Sequence, residues 1–166
     1  SQNDPAAWDE YFRDPLDPIS ADWPRPALVP DAAAGLTPAA PAEAVLAAVG
    51  DPMQAVAAGL VQTLAAAGVP LLLAGGSQMA AVLALALALS APSERPQLLD
   101  QAAIATTAWV AAEDGSDLQG LLERIGRRWA GPPLAFASAL RFGDCRSPEL
   151  LAYERGYVKE GVGAGG

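Results

Sequence analysis

The apolar stretch at residues 69–91, VPLLLAGGSQMAAVLALALALSA, constrains the fold of this chain more than any other segment. By length alone it could cross a membrane. Its Gly-Gly-Ser-Gln sequence at 75–78 divides it into a strand-sized and a helix-sized piece, and no Lys or Arg flanks it before Arg95. We therefore expect a buried strand followed by a buried helix, and no membrane span.

The same alternation of strand-sized and helix-sized segments runs along the chain from residue 44. Strands are predicted at 44–50, 69–74, 104–110 and within 132–143. Helices are predicted from Pro52 to the stop at Gly68, from Ser77 to Leu89 with Ser77 as a cap, after a cap at Ser116 or Asp117, and after Ser147-Pro148. This order predicts an α/β fold, a Rossmann-like three-layer arrangement with a parallel sheet and helices on both faces. Ligands of such sheets bind in the strand-to-helix loops.

Residues 1–43 differ from the rest in composition, because they contain eight of the 15 prolines. Proline at this density excludes regular helix or sheet. The sequence thus predicts a Pro-rich, acidic, extended arm at 1–43 and an α/β domain at 44–166. Two hypotheses stay open for the arm: a partly disordered leader, or a segment that packs its aromatic side chains on another surface. Those side chains are Trp8, Tyr11, Phe12 and Trp23.

Charge and composition exclude several kinds of function. Ten basic and 19 acidic residues give a net charge of −9, which argues against binding to nucleic acid phosphates. The single cysteine, Cys145, excludes an internal disulfide, and the absence of histidine excludes His-dependent triads and His metal sites. Any chemistry must use carboxylates, hydroxyls, backbone amides or the few Lys and Arg residues. We expect a cytoplasmic protein that needs no metal ion.

Three short segments could carry chemistry. Gly75 and Gly76 follow a buried strand, so they form either a tight turn or a backbone surface that approaches an anionic ligand. Asp51 is either only a helix N-cap or a carboxylate that contacts a ligand. In YVKEGVGAGG, Glu160 lies among glycines and could act as a general base; alternatively, Lys159 and Glu160 form a solvated pair on a flexible tail.

Taken in order, four segments resemble the cyanobacterial and archaeal branch of the nicotinate-nucleotide:dimethylbenzimidazole phosphoribosyltransferases. They are AVGDPMQ, LLLAGGSQMAAVLALA, IATTAWVAAE and YERGYVKEGVGAGG. The stretch with the two glycines resembles the family's strand-to-helix turn, and KEGVGAG resembles its C-terminal Glu-Gly-x-Gly-Ala loop. The resemblance covers residues 45–166 and implies that they are the C-terminal portion of a longer protein.

The resemblance implies phosphoribosyl transfer from nicotinate mononucleotide to a lower-ligand base in cobalamin or cobamide biosynthesis. The base is dimethylbenzimidazole or another heterocycle such as adenine. Glu160 would be the catalytic residue that takes the proton from the incoming base, and no cofactor would be needed. The partners would be these small molecules, and similarity to the family favours a homodimer. We expect the substrate-binding residues to be Gly75, Gly76, Gly161, Gly163, Lys159 and Asp51.

The sequence also departs from this family. The family's Gly- and Thr-rich phosphate loop has no counterpart here, since no run similar to GGTTT occurs. This difference favours a second hypothesis for the chain as it stands, namely a non-catalytic nucleotide-binding or dimerisation α/β domain derived from that family.

Overall fold

The computed structural model describes residues 40–50, 52–112 and 117–155. In chain order these residues form helices α1 (Ala42–Val49) and α2 (Pro52–Ala66), strand β1 (Leu71–Ala74), helices α3 (Ser77–Leu89) and α4 (Arg95–Gln101), strand β2 (Ala102–Thr107), helices α5 (Ala108–Ala111) and α6 (Leu118–Trp129), strand β3 (Leu134–Ser138) and helix α7 (Pro148–Glu154). None of the helices within these ranges combines the length and the hydropathy that a bilayer-spanning segment needs.

The three strands form one parallel sheet in the order β1-β2-β3. Leu71 lies opposite Ala102 in the ladder between β1 and β2, and Ala103 lies opposite Leu134 in the ladder between β2 and β3. Helices connect the strands and pack against them. The predicted α/β class, with a parallel sheet flanked by helices, is confirmed.

Helix α3 lies at the centre of the core. From Met79 to Leu89 it contains only apolar residues, which is the composition of a helix buried on every side. Leu83 and Leu87 are completely buried, and the neighbours of α3 are α1, α2, α6 and β2. Small residues such as Ala58 and Ala65 on α2 allow these helices to approach closely.

The two faces of the sheet are covered to different extents by the described residues. Leu71, Leu73 and Ile104 point to the face that packs on the helical core. Successive side chains of a strand alternate between faces, so Leu72, Leu134 and Phe136 lie on the opposite face. There Leu72 is 62% exposed, and Leu134 and Phe136 are each 54% exposed.

The secondary structure differs from the sequence-based predictions in three places. The segment 44–50 was expected to be a strand, but residues 42–49 form helix α1, since Ala, Leu and Glu are strong helix formers. Helix α4 was not predicted; it begins at the Arg95-Pro96 pair, where proline suits a first turn. The strand predicted at 104–110 lies at 102–107 instead.

The end of strand β2 has a local cause. The Thr107 hydroxyl accepts a hydrogen bond from the Val110 amide at 3.4 Å, and this bond starts the short helix α5. A threonine cap thus outweighs the β propensity of the residues that follow it. The described residues therefore contain three strands, where four were expected. The division at residue 43 stays a prediction, because 1–39 lie outside the described residues.

Helix α6 begins at Asp117, one of the two predicted caps. The Asp117 carboxylate accepts a hydrogen bond from the Gly120 amide at 3.2 Å and pairs with Arg124 at 3.0 Å. Its backbone is left-handed, with φ of 39°, a conformation that Asp and Asn tolerate better than most residues. The start of helix α6 therefore depends on the aspartate at position 117.

We expect Asp117→Ala to lower the free energy of unfolding by about 1–2 kcal/mol, because it removes the cap and leaves alanine in a left-handed conformation. Asp117→Asn keeps the cap and loses only an exposed ion pair, so it should cost less than about 1 kcal/mol. Urea denaturation of the two variants measures both values. Equal costs would contradict the assignment of Asp117 as the cap.

Candidate functional site

The carboxyl ends of the three parallel strands define one edge of the sheet, where a ligand would be expected. Strand β1 ends in the Gly75-Gly76 turn, β2 ends at Thr107 and continues directly into α5, and β3 ends at Ser138. Because the strands are parallel and in register, these three endings lie side by side. The candidate site is built from this edge and from the first turn of α3.

The Gly75-Gly76 turn joins β1 to α3, and its first residue is still hydrogen-bonded to β2. The Gly75 amide donates to the Ala105 carbonyl at 2.9 Å, which extends the ladder between β1 and β2 by one bond. Gly76, rather than the predicted Ser77, is the N-cap residue of α3, and no side chain caps this helix. The amides of the first turn, at Ser77 and Gln78, therefore have no partner within the helix and point toward the edge. They form the positive end of the helix dipole.

A side chain would meet different neighbours at Gly75 and at Gly76. A Cβ atom on Gly75 would overlap only the side chain of Met79, which is flexible enough to move. A Cβ atom on Gly76 would lie 2.9 Å from Cγ1 of Val110, which is buried and β-branched. Close packing against α5 thus accounts for Gly76 without a ligand. The described residues impose no such requirement on Gly75.

Two buried hydroxyl groups at this edge lack a hydrogen-bond partner among the described residues. They belong to Thr106, which is 3% exposed, and to Ser138. The bond from Gly75 to Ala105 places Gly75 opposite Thr106 in the ladder, and the Thr106 side chain lies on the sheet face that α3 covers. A buried hydroxyl without a partner costs about 1–3 kcal/mol, and a ligand that accepts its hydrogen bond would recover that cost.

An aromatic pair connects the segments that follow β2 and β3. The rings of Trp109 and Phe142 stack with centroids 5.0 Å apart and an angle of 14° between their planes. The guanidinium of Arg141 lies 5.8 Å from the centroid of Trp109. The carboxylate of Glu154 on α7 accepts a hydrogen bond from the Phe142 amide. This cluster holds α7 against the carboxyl edge of the sheet and brings one cation, Arg141, to it.

The structure describes only two of the predicted site residues, and their role in ligand binding stays a prediction. Gly75 and Gly76 lie where expected, in the turn at the carboxyl edge. The other predicted residues lie outside the described residues, and their roles stay predictions: Asp51, Lys159, Glu160, Gly161 and Gly163. Within residues 40–50, 52–112 and 117–155 no group of three acidic or cysteine side chains could hold a metal ion.

Sequence analysis missed Thr106, Ser138 and Arg141 as site residues. The consecutive threonines of IATT lie in a predicted strand and in one of the four segments that carry the family resemblance, and neither prediction made Thr106 a site residue. Polar residues at the last positions of an apolar strand are a usable signal, because those positions lie at the edge where ligands bind. The absence of a partner for Thr106 could not be found from the sequence, since it depends on the register between β1 and β2.

The chain is similar to UPF0284 proteins of cyanobacteria. It is 46% identical over 140 residues to one from Prochlorococcus marinus (strain MIT 9313), an alignment that covers 81% of this chain and 34% of the relative. It is 52% identical over 98 residues to one from Parasynechococcus marenigrum, covering 56% of this chain and 25% of the relative. A relative from Gloeobacter violaceus is 52% identical over 94 residues, which are 57% of this chain and 24% of that protein.

The chain thus spans about a third or less of the length of these curated relatives. Their names state no activity. No model of a protein family matches the chain.

Proposed function

We propose that this chain contributes part of the active site of a phosphoribosyltransferase that transfers phosphoribose from nicotinate mononucleotide to a heterocyclic base. The observation that carries the proposal is the buried, unpartnered Thr106 hydroxyl beside the uncapped first turn of α3. A phosphate or ribose oxygen there would accept hydrogen bonds from the hydroxyl and from the helix amides. Arg141 at the same edge provides a positive charge for a substrate that carries a phosphate and a carboxylate.

Chain connectivity limits how far the proposed base, Glu160, can lie from the end of α7. Helix α7 ends at Glu154, whose carboxylate contacts the Phe142 amide at the carboxyl edge. Glu160 follows Glu154 by six positions, and an extended chain of that length spans at most about 20 Å. The proposal requires that the substrate at the Gly75-Gly76 turn lies within this reach of the end of α7.

In the proposed reaction the lone pair of a ring nitrogen of the base attacks the anomeric carbon of nicotinate mononucleotide. The bond from that carbon to the nicotinate nitrogen breaks, and its electron pair returns to the nicotinate ring. The proton on the other ring nitrogen of the base passes to the Glu160 carboxylate. The products are nicotinate and a ribosylated base phosphate. Positioning of the two substrates supplies much of the rate in such a reaction.

The direct test is incubation of the complete protein with nicotinate mononucleotide and one base at a time, dimethylbenzimidazole and adenine first. Chromatography follows the release of nicotinate. We expect release that depends on the added base, together with an equal amount of ribosylated base. An absence of release with every base would refute the catalytic proposal.

Replacement of Thr106 separates a binding role from a structural one. We expect Thr106→Val to leave the free energy of unfolding unchanged or to raise it by up to about 1–3 kcal/mol, because it removes a buried hydroxyl that lacks a partner. The same change should weaken binding of nicotinate mononucleotide by about 10- to 100-fold, the value of a hydrogen bond to a charged group. Thermal unfolding and calorimetric titration measure the two effects. A loss of stability with unchanged binding would show that the hydroxyl has only a structural role.

A second candidate function is binding of a nucleotide without chemistry. The absence of a Gly- and Thr-rich phosphate loop in this sequence favours it. Calorimetry separates the two functions, because a binding domain gives heat with nicotinate mononucleotide and no product.

The predicted homodimer is a separate proposal, and light scattering of the purified protein checks it.

A further inference from the structure

Two aromatic rings and an arginine at the carboxyl edge form a surface that fits a flat anionic ring. Trp109 and Phe142 stack with centroids 5.0 Å apart, and the Arg141 guanidinium lies 5.8 Å from the Trp109 centroid. Both rings are half-buried, and Arg141 is exposed. We call these three residues the aromatic cluster. A ligand ring can pack on such a surface while its negative group binds the guanidinium.

Arg141 keeps most of its hydrogen-bonding capacity for a ligand. Its Nη1 donates to the Leu140 carbonyl at 2.8 Å. The ion pairs between side chains of the described residues involve Arg124 and Arg127, so none of the carboxylates there neutralises Arg141. A guanidinium has five N–H donors in a planar fork, and two of them can hold both oxygens of one carboxylate. Arg141 therefore has an aromatic neighbour and donors that remain for an anion.

The aromatic cluster borders the Gly75-Gly76 turn. The Thr107 hydroxyl accepts from the Val110 amide at 3.4 Å and so starts helix α5, whose second residue is Trp109. Val110 lies against Gly76, because a Cβ atom there would be 2.9 Å from its Cγ1. Trp109 is therefore next in sequence to a residue that contacts the turn, and the first-turn amides of α3 follow directly.

The carboxyl edge thus offers two different places for anionic groups. The α3 amides and the buried Thr106 hydroxyl suit a phosphate or ribose oxygen, which needs no ring beside it. Arg141 lies beside Trp109, so it suits an anion that is attached to a flat ring. Nicotinate mononucleotide has both kinds of group, a carboxylate on its pyridinium ring and a phosphate on the far side of its ribose. The positive charge of that ring is also attracted to an indole face.

We propose that Trp109 and Arg141 bind the nicotinate end of the mononucleotide, and that Arg141 selects its carboxylate over the carboxamide of nicotinamide mononucleotide. This assignment rests on the proposed function, because it places the donor substrate of that function. The pyridinium ring packs on the aromatic cluster, the carboxylate accepts from Arg141, and the phosphate lies at the first turn of α3. The anomeric carbon then lies between the two ends, where the incoming base must reach it.

Calorimetric titration of the complete protein with each mononucleotide tests the assignment. The two ligands differ only in carboxylate against carboxamide, so the ratio of their dissociation constants measures recognition of the carboxylate alone. The variants are Arg141→Gln, Arg141→Lys and Trp109→Leu. The matched control is Arg128→Gln, since Arg128 also lies over a tryptophan, 5.4 Å from the centroid of Trp129, but at the end of α6. Thermal unfolding checks that each variant is folded, and position 141 is exposed.

We expect the unaltered protein and Arg128→Gln to bind nicotinate mononucleotide about tenfold more tightly than nicotinamide mononucleotide. Arg141→Gln should bring this ratio close to one, mainly by weakening the nicotinate ligand. Arg141→Lys should give an intermediate ratio, because lysine keeps the charge and loses the planar fork. Trp109→Leu should weaken both ligands by a similar factor, about fivefold, because both contain the pyridinium ring.

Four results would overturn the assignment: no binding of either ligand, equal affinities in the unaltered protein, an unchanged ratio in Arg141→Gln, or unchanged binding of both ligands by Trp109→Leu. A merely structural role of Arg141, such as support for α7, would weaken both ligands equally and leave the ratio unchanged. The release of nicotinate is measured separately with added base. Discrimination without release would refute the transferase and support the assignment, whereas release with an unchanged ratio in Arg141→Gln would do the reverse.

Discussion

Replacement of Glu160 by glutamine is expected to lower the rate of nicotinate release by about 10²–10⁴-fold, the contribution of a positioned general base. Glutamine has nearly the same shape as glutamate and can still donate and accept hydrogen bonds, but it cannot take a proton from the incoming base. The loss should therefore appear mainly in kcat, with little change in the KM for nicotinate mononucleotide. Steady-state assays of the complete protein measure both constants.

The matched control is Glu123→Gln, which removes the same charge from an exposed carboxylate of α6. The Glu123 side chain is 55% exposed and pairs only loosely with Arg127, at 3.7 Å. An exposed pair of this kind contributes less than about 1 kcal/mol, so activity and stability should remain close to those of the unaltered protein. Equal activity of Glu160→Gln and Glu123→Gln would refute the assignment of Glu160 as the general base.

The parts of the fold that sequence predicted well are those with strong local signals. Helix α3 follows from its long apolar run after the two glycines, and helix α2 follows from Pro52 at its first position. Helix α6 has an acidic cap, and α7 follows a serine whose hydroxyl accepts from the Leu150 amide at 3.4 Å. In each case the residues that start the helix are adjacent in sequence, so no knowledge of tertiary contacts is needed.

The errors occur where two local preferences compete. The segment AEAVLAAV has apolar residues that suit a strand, yet its alanines and leucine favour a helix, and the helix forms. In the candidate site, the Gly75-Gly76 turn could be predicted because glycines after a strand are visible in the sequence. Thr106 and Ser138 could not be recognised in the same way, because their importance arises from burial without a partner. Burial of that kind depends on strand register and on packing between distant segments.

The largest expected loss of stability comes from Leu83→Ala in helix α3. Leu83 is completely buried, and the helix that carries it packs against α2, α6 and β2. Truncation of a buried leucine costs about 2.7–5.0 kcal/mol, and the cost is highest where the surroundings cannot collapse into the cavity. Here several of the buried neighbours are alanines, including Ala58, Ala80 and Ala86, whose side chains cannot rotate to fill space. We therefore expect a loss in the upper half of that range.

Such a loss is a large part of the stability of an ordinary domain, which is about 5–15 kcal/mol. Urea denaturation of Leu83→Ala and of Leu60→Ala measures it, with Leu60 of helix α2 as a control leucine that is 56% exposed. The control should change the free energy of unfolding by less than about 1 kcal/mol, since little of its side chain leaves water on folding. Similar losses for the two variants would mean that α3 is not the centre of the core. In that case a rigid α3 could no longer explain how the Gly75-Gly76 turn is held at the edge of the sheet. A binding site at that turn would then have weaker support.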